Sequence, residues 1–519
     1  MVQATAAETQ AEEDGAARRR PPWRRIAALS GLVTVVGVVV QWVIMTPPLY
    51  YDPYYVWLGA RDWPDVPLDR WPFVELPHQV TRIGLVLPAR AVQELLGTGQ
   101  AAYFVIAALA GCVFFVGTYL AVRSLFGDVA GVASALLLIV HPFFTLTNPY
   151  THEITWSAGV LLPDMPGAGL FAAGMAGLVA ASRRTGRAQT RMLVVAGLLL
   201  GSSFLVREFL AFLFLAIPAY LWLLRIPWRR NVTVGLTMLA VLAANFVHNV
   251  IVWGTPLAGL RSAAGHGGKS WDVVTRPLAA NSFWRAMTEG NPLGLVFVAL
   301  LALTIVGWAV TRDRRLALCL VWFFTLAVPL TLLSGVLDPD DISLRAWLIR
   351  YWFAVLPALL AGGIGAVTLL ARRVPAAWTA RLRPVAFGAA VLGVVAYLGA
   401  AFAAVPDLPR DRAWNELRVW LDGRDDLPAI TTDGRLAQTF TFYARDMWGN
   451  VQWNGRVVTF PQYAVGDPPT TEYPMLYHRW RGMEASAPVL GGWKPGEHGW
   501  TLAWRSSDGL LEIWNPPAR

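Results

Sequence analysis

"RRRPPWRRIAALSGLVTVVGVVVQWVIMTPPLYYDPYYVWLGARDW", residues 18–63, decides how the rest of the chain is read. A basic, proline-containing run is followed by an apolar stretch beginning at Ile26, and then by an aspartate, Asp52, set among four tyrosines and two tryptophans. About 20 apolar residues suffice to cross ~30 Å of hydrocarbon. The arginines hold the start of that stretch on the cytoplasmic side. No small-residue cleavage site precedes the aromatic loop, so the stretch reads as a retained first span and not a removed signal peptide. Such a span delivers Asp52 to the opposite membrane face, at the level where Tyr and Trp rings collect.

Composition extends this reading to the whole chain. With 55% hydrophobic residues, 15% charged residues and a mean hydropathy of +0.45, the 519 residues describe a polytopic α-helical membrane protein. The formal charge of +9 is nearly all arginine, since Lys269 and Lys494 are the only lysines. That bias reads as high-GC coding of the actinobacterial kind. Because the arginines lie in short clusters between apolar runs, no nucleic-acid partner is expected. Cys112 and Cys319 both fall inside apolar segments and read as small core hydrophobes.

Eleven stretches approach spanning length, centred near residues 36, 111, 137, 173, 199, 217, 242, 301, 325, 361 and 394. The clusters "RRRPPWRR", Arg123, "RRTGRAQTR", "RIPWRR", "RDRR" and "ARRVPAAWTARLRP" fall on alternate connections, which assigns them one side, the cytoplasm. The expected organisation is a disordered cytoplasmic N-terminus (1–25), a transmembrane domain (26–404) with interfacial helices in external loop one (47–100), and an extracytoplasmic α/β domain (405–519). In that last region "AWNELRVWLDG" and "GRLAQTFTFYAR" have helical spacing and "PAITTD" reads as a strand. "WTLAWRSSDGLLEIW" reads as two strands about an Asp-Gly turn. In loop one, "HQVTRIGLVLPARAVQELLG" places Ile83, Leu87, Ala91 and Leu95 on one helical face opposite Arg82, Arg90 and Glu94, with a kink expected at Pro88.

Ionisable residues gather on the external side. Asp52, Glu75 and His78 lie in loop one; His152, Glu153 and Asp164 lie in "NPYTHEITWSAGVLLPDMP". Arg207 and Glu208 lie in "FLVREFLAF", where they mark a tight hairpin or a buried pair, and Arg345, Arg350 and Tyr351 lie in "LRAWLIRYW". Charges at membrane depth are costly and point to function. Arginines can fork onto phosphate oxygens, and a carboxylate can take a proton from a hydroxyl nucleophile. The set therefore suits a phosphate-bearing lipid substrate.

Each of these residues also has a plainer reading. Asp52 can cap the interfacial helix begun by Pro53, and Asp164 of "PDMP" can cap the amides of its own helix. Glu75 and His78 share a helical spacing that could hold a divalent metal, with His266 as a distant third ligand. His141 and His248 lie within spans and read as hydrogen-bonded packing residues. The glycine-rich "AAGHGGKSWD" lacks the spacing of a nucleotide phosphate loop and reads as a flexible external loop.

The order of first span, external acid, flat helix, further spans and external C-terminal domain resembles the GT-C superfamily of polyprenyl-phosphate-sugar-dependent glycosyltransferases. Within it, "YYDPYY", "LLPDMP", "FLVRE" and "LIRYWFAVLPAL" resemble the bacterial relatives of protein O-mannosyltransferases and of arabinose and aminoarabinose transferases. The resemblance implies an integral membrane hexosyl- or pentosyltransferase acting by inversion on a polyprenyl-phosphate sugar donor. Asp52 would be the catalytic base, and Arg207, Arg350 and Arg345 would hold the donor phosphate. Asp164, His152, Glu153, Glu208 and Tyr351 would contact substrate. A divalent metal is sometimes present in such proteins, and no nucleotide cofactor is expected. A single acid before Pro53 departs from the paired Asp-Glu of protein mannosyltransferases, so the acceptor is left open among envelope glycan, glycolipid and protein. A lipid-linked sugar flippase or a noncatalytic envelope-assembly protein are the competing classes.

Overall fold

The computed structural model describes residues 22–44, 51–65, 77–145, 160–267, 274–288, 292–373, 375, 388, 391–401, 412–460, 471–478 and 494–518. Among them, eight helices are long and apolar enough to cross a bilayer: Trp23–Ile44, Gln100–Phe126, Asp164–Ser182, Gly186–Val206, Trp228–Trp253, Pro292–Thr311, Arg314–Val336 and Ile349–Ala371. Three shorter apolar helices, Asp128–Ile139, Glu208–Leu223 and Val391–Ala401, coincide with the remaining expected centres. Among the described residues, eight of these apolar helices reach spanning length and three fall short of it. The first nine residues of Glu208–Leu223 form a 3-10 helix, Glu208–Ala216. At ~2.0 Å per residue there and ~1.5 Å after it, the segment reaches about 28 Å, nearly a full crossing.

Small residues let the central helices touch. A Cβ on Gly117 would collide with the carbonyl of Gly169, and one on Gly169 with the carbonyl of Val113, so the Gln100–Phe126 and Asp164–Ser182 backbones approach directly. The outer helices instead show apolar side chains to lipid; Val35, Val39, Trp42 and Val43 of the first span are all exposed.

One end of the bundle is tied by arginines. Arg25 and Arg123 both pair with Asp128, at 2.8 and 2.5 Å. Arg183 donates to the Ser124 carbonyl, and Arg315 to that of Leu125. These four belong to different clusters of the sequence, and the fold brings them together. Asp164 stands at the far end of its 19-residue helix, about 28 Å away along the axis.

The Ile83–Leu96 helix carries Pro88 inside it, and the face it buries against the protein is not the face that the apolar spacing picks out. Ile83, Leu85, Val86, Ala89 and Gln93 are buried, whereas Leu87 and Leu95 are exposed and Arg82 is buried. Periodicity shows which residues share a face, but in a membrane both the protein side and the lipid side are apolar, so it does not show which face packs. The glycine-rich stretch is corrected as well: its first part lies in the Ala258–Gly267 helix and is not a loop.

The C-terminal region forms a five-stranded sheet of order β2-β1-β3-β5-β4. The strands are β1 Ala429–Asp433, β2 Arg456–Phe460, β3 Met475–His478, β4 Thr501–Arg505 and β5 Leu511–Asn515. β1 lies parallel to β2 and β3, and β5 runs antiparallel to β3 and β4. Helices Arg412–Leu421 and Gly434–Tyr443 stand where helical spacing predicts them. β2 and β3 were not read from sequence; β3 has only four residues.

Candidate active site

Asp52 stands in the first turn of the Tyr51–Asp62 helix. Its carboxylate turns away from the helix: Gln79 Nε2 donates to Oδ1 at 2.5 Å, and Arg350 Nη1 lies 3.8 Å from Oδ2. The latter distance is an electrostatic contact, too long for a hydrogen bond. The side chains of Asp52 and Arg350 are 22% and 21% exposed, so the pair borders open space. Gln79 is buried within a tight turn held by Val80 N to Pro77 O and by Thr81 Oγ1 to His78 O. Three distant segments therefore meet at one carboxylate.

Arg350 lies in the 3-10 helix Ile349–Val355. Its neighbour Tyr351 passes under a second guanidinium: Arg207 sits 5.2 Å from the Tyr351 ring and 4.9 Å from that of Phe209. The Phe209 and Tyr351 rings are 5.4 Å apart. Arg207, the residue that ends the Gly186–Val206 helix, is extended, with φ −146°, and the second 3-10 helix begins at Glu208. Both site arginines are thus presented by breaks in regular α-helix, where the backbone can aim a side chain across the bundle end.

The buried partner of Arg207 is Asp164, with Nε and Oδ1 3.0 Å apart and side-chain exposures of 9% and 1%. These two atoms are ion-paired without an aligned hydrogen bond. Gly167 makes room for the approach, since a Cβ there would lie 3.0 Å from Arg207 Cβ. The pairing gives the Asp164 carboxylate a partner outside its own helix.

Arg207 and Glu208 do not pair with each other. Glu208 is held by Arg82 through three N–H···O contacts of 3.0, 3.1 and 3.0 Å. Adjacent side chains in an extended-to-3-10 transition point to different sides, so one faces the site and the other locks the chain to loop one. Thr81, Asn245 and Asn249 line a small polar cavity beside this bridge.

Arg345 is half-buried in the segment before Ile349, where its carbonyl accepts from Leu348 N. His78 is buried, while Glu75, His152 and Glu153 lie outside the described residues. Among the described residues no three His, Cys, Asp or Glu side chains come together as a metal site. The span histidines have packing partners: His141 Nδ1 accepts from Phe143 N at 3.1 Å and its Nε2 faces the Leu293 carbonyl at 3.3 Å. Trp63 Nε1 donates to His248 Nε2 at 3.2 Å.

Gln79 and Arg82 are the site residues that sequence reading missed. A neutral amide in "HQVTR" gives no charge signal. Arg82 looked like the wet face of a flat helix, although its place four residues after the singled-out His78 was the available hint.

Residues 87–253 match the family model described as dolichyl-phosphate-mannose-protein mannosyltransferase. No curated protein matches the sequence. The fold is similar to the crystal structure of ArnT from Cupriavidus metallidurans bound to undecaprenyl phosphate, at 15% identity, covering 94% of this chain and 97% of that one, with a TM-score of 0.58. The apo form of the same protein matches at 14% identity, 95% and 98% coverage and a TM-score of 0.57. The Archaeoglobus fulgidus oligosaccharyltransferase in complex with Zn and sulfate matches at 13% identity, 94% and 73% coverage and a TM-score of 0.50.

Proposed function

The chain is a multi-pass membrane protein with the fold of the GT-C membrane glycosyltransferases, and from that premise we propose that it moves a sugar from a polyprenyl phosphate to an extracytoplasmic hydroxyl. Undecaprenyl phosphate in the ArnT structure supports a lipid-linked donor for this chain too. The observation that carries the reading is the half-buried Asp52 carboxylate beside Arg350, one residue from the ring that packs on Arg207. A base and two phosphate-sized cations in one place are what this reaction requires.

In this reading the acceptor oxygen attacks C1 of the sugar while Asp52 takes its proton. The C1–O bond to phosphate breaks, and its electron pair leaves on the polyprenyl phosphate. A single displacement inverts C1. The phosphate gains one negative charge as it departs, so the fixed guanidinium of Arg350, with Arg207 behind Tyr351, favours the transition state over the ground state. Gln79 holds the Asp52 carboxylate in its rotamer. Asp164 keeps Arg207 aimed. The acceptor is an envelope glycan, a glycolipid or a protein, and the sugar a hexose or pentose.

The arginine-tied end of the bundle then faces the cytoplasm and the pocket faces outward. The C-terminal sheet domain shares that outer side.

The test uses purified full-length protein in detergent with undecaprenyl-phosphate-linked mannose, arabinose, aminoarabinose and galactose. Release of undecaprenyl phosphate from one of them, reduced about 10²- to 10⁴-fold in Asp52→Asn, is the expected result. Movement of intact lipid across sealed vesicles with no bond cleavage overturns the reading in favour of a flippase.

A further inference from the structure

The apolar interior divides into two main clusters, and the division ignores the order of the chain. One belongs to the membrane helices. The other joins Trp57 of the Asp52 helix and Tyr103 of the Gln100–Phe126 helix to Trp414, Leu417, Phe442 and Ile513 of the C-terminal domain. The helix that carries Asp52 is therefore built into the core of the C-terminal domain, some 390 residues later in the sequence.

Phe442 is the wedge. Its ring meets Trp57 at 5.4 Å and 75°, Tyr103 at 5.2 Å and 70°, and Phe104 at 6.3 Å and 75°, all edge-to-face. Tyr54 and Trp57, one turn apart on the Asp52 helix, both belong to this shared cluster. The Gly434–Tyr443 helix thus sets one ring against both the Asp52 helix and the start of the Gln100–Phe126 helix.

A second contact fixes where the domain sits. Ala101 N donates to the Met447 carbonyl at 3.0 Å, Gln100 Nε2 donates to the Arg445 carbonyl at 3.0 Å, and Arg445 reaches Thr98 Oγ1 at 3.4 Å. Gly97 and Gly99 allow this closeness, for a Cβ on either would collide with the Trp448 carbonyl or the backbone nitrogen of Gly449. Backbone meets backbone there, so the seat has one register.

We propose that the C-terminal domain is a positioning element of the catalytic pocket, with Phe442 acting through Trp57 to hold the helix that presents Asp52. The proposal rests on the reading of Asp52 as the base. Phe442 touches no reacting atom, and its effect is to keep Asp52 where Gln79 and Arg350 meet it. A domain that only bound glycan at a distance would need a tether, whereas this one shares its core with the catalytic helix.

The experiment compares full-length wild type with Phe442→Leu in two readouts, steady-state release of undecaprenyl phosphate and amide exchange over residues 51–62. The expected result is a kcat lowered about 10- to 100-fold, a donor KM within about twofold, and exchange in 51–62 faster by about 10-fold or more while the Gln100–Phe126 helix keeps its protection. Unchanged exchange, unchanged kcat, or a rise in KM alone overturns the proposal. If wild type cleaves no lipid-linked sugar, the functional reading fails, and exchange alone decides whether Phe442 holds the helix. Should Phe442→Leu not fold, Gln100→Ala loosens the second contact and is expected to move both readouts the same way by a smaller amount; no movement of either overturns it.

Discussion

Arg350 and Tyr351 are consecutive residues that face the two halves of the pocket: Arg350 Nη1 stands 3.8 Å from Asp52 Oδ2, while the Tyr351 ring lies 5.2 Å from the guanidinium of Arg207. One 3-10 entry thereby sets the spacing between the proposed base and the buried Arg207–Asp164 pair. Removing either residue should disturb both halves.

Arg350→Gln is expected to lower kcat/KM for donor cleavage by about 10²-fold, the scale of losing one donor to a developing oxyanion. Arg350→Lys restores charge without the planar fork, and should recover part of that loss. Steady-state release of lipid phosphate by the two variants checks this, and equal activity of Gln and Lys would show that charge at this position is irrelevant.

Asp164→Ala leaves Arg207 buried without its partner. The expected cost is about 3–5 kcal/mol of stability, read as a lower unfolding temperature in detergent. Asp164→Ala combined with Arg207→Met removes both charges and should recover most of the stability but none of the activity.

Glu208 is engaged by Arg82 through both carboxylate oxygens. Arg82→Ala and Glu208→Ala should each destabilise the protein and show a coupling of about 1–3 kcal/mol in a double-mutant cycle. Glu208→Gln should leave the donor KM unchanged, since the bridge fixes the chain behind the pocket.

Asp446 gives a pH signature to the seat of the C-terminal domain. Its Oδ2 accepts from Asn450 Nδ2 at 2.7 Å, and its Oδ1 from the amides of Trp448, Gly449 and Asn450 at 2.8, 2.8 and 2.9 Å. The Asn450 side chain, with these amides, holds the carboxyl below its ordinary value of 3.8. A folded-state value below the unfolded one stabilises the turn fully above the ordinary carboxylate range, and the contribution is lost as pH falls through the folded value. Amide exchange at 446–450 should be flat between about pH 5 and 8, once corrected for intrinsic rates, and rise below about pH 4. Asp446→Asn should abolish that pH dependence.

Much of the frame was legible because membrane physics writes itself into short windows of sequence. Apolar length marked the eight helices of spanning length, although the 3-10 geometry of Glu208–Ala216 could not be read, since hydrogen-bond pattern leaves no compositional trace. The four arginines Arg25, Arg123, Arg183 and Arg315 were assigned one side by alternation alone, and they meet at one end of the bundle. Asp52 and Arg350 were singled out as charges beyond apolar runs, and they lie together. The partners of those charges were not legible. Gln79 is neutral, Arg82 directly precedes a helix whose two faces are both apolar in contact, and the pairing of Arg207 with Asp164 and not Glu208 depends on which way an extended residue turns.

By itself the sequence determined that this chain spans a membrane many times and gathers its arginines at one end, because transfer of side chains between water and hydrocarbon is a local cost paid residue by residue. Only the tertiary structure decided that Asp52 meets Gln79 and Arg350, and that its helix belongs to a core completed by Phe442. Those are contacts across 27 to nearly 400 positions, and no local periodicity or composition encodes a distance that long.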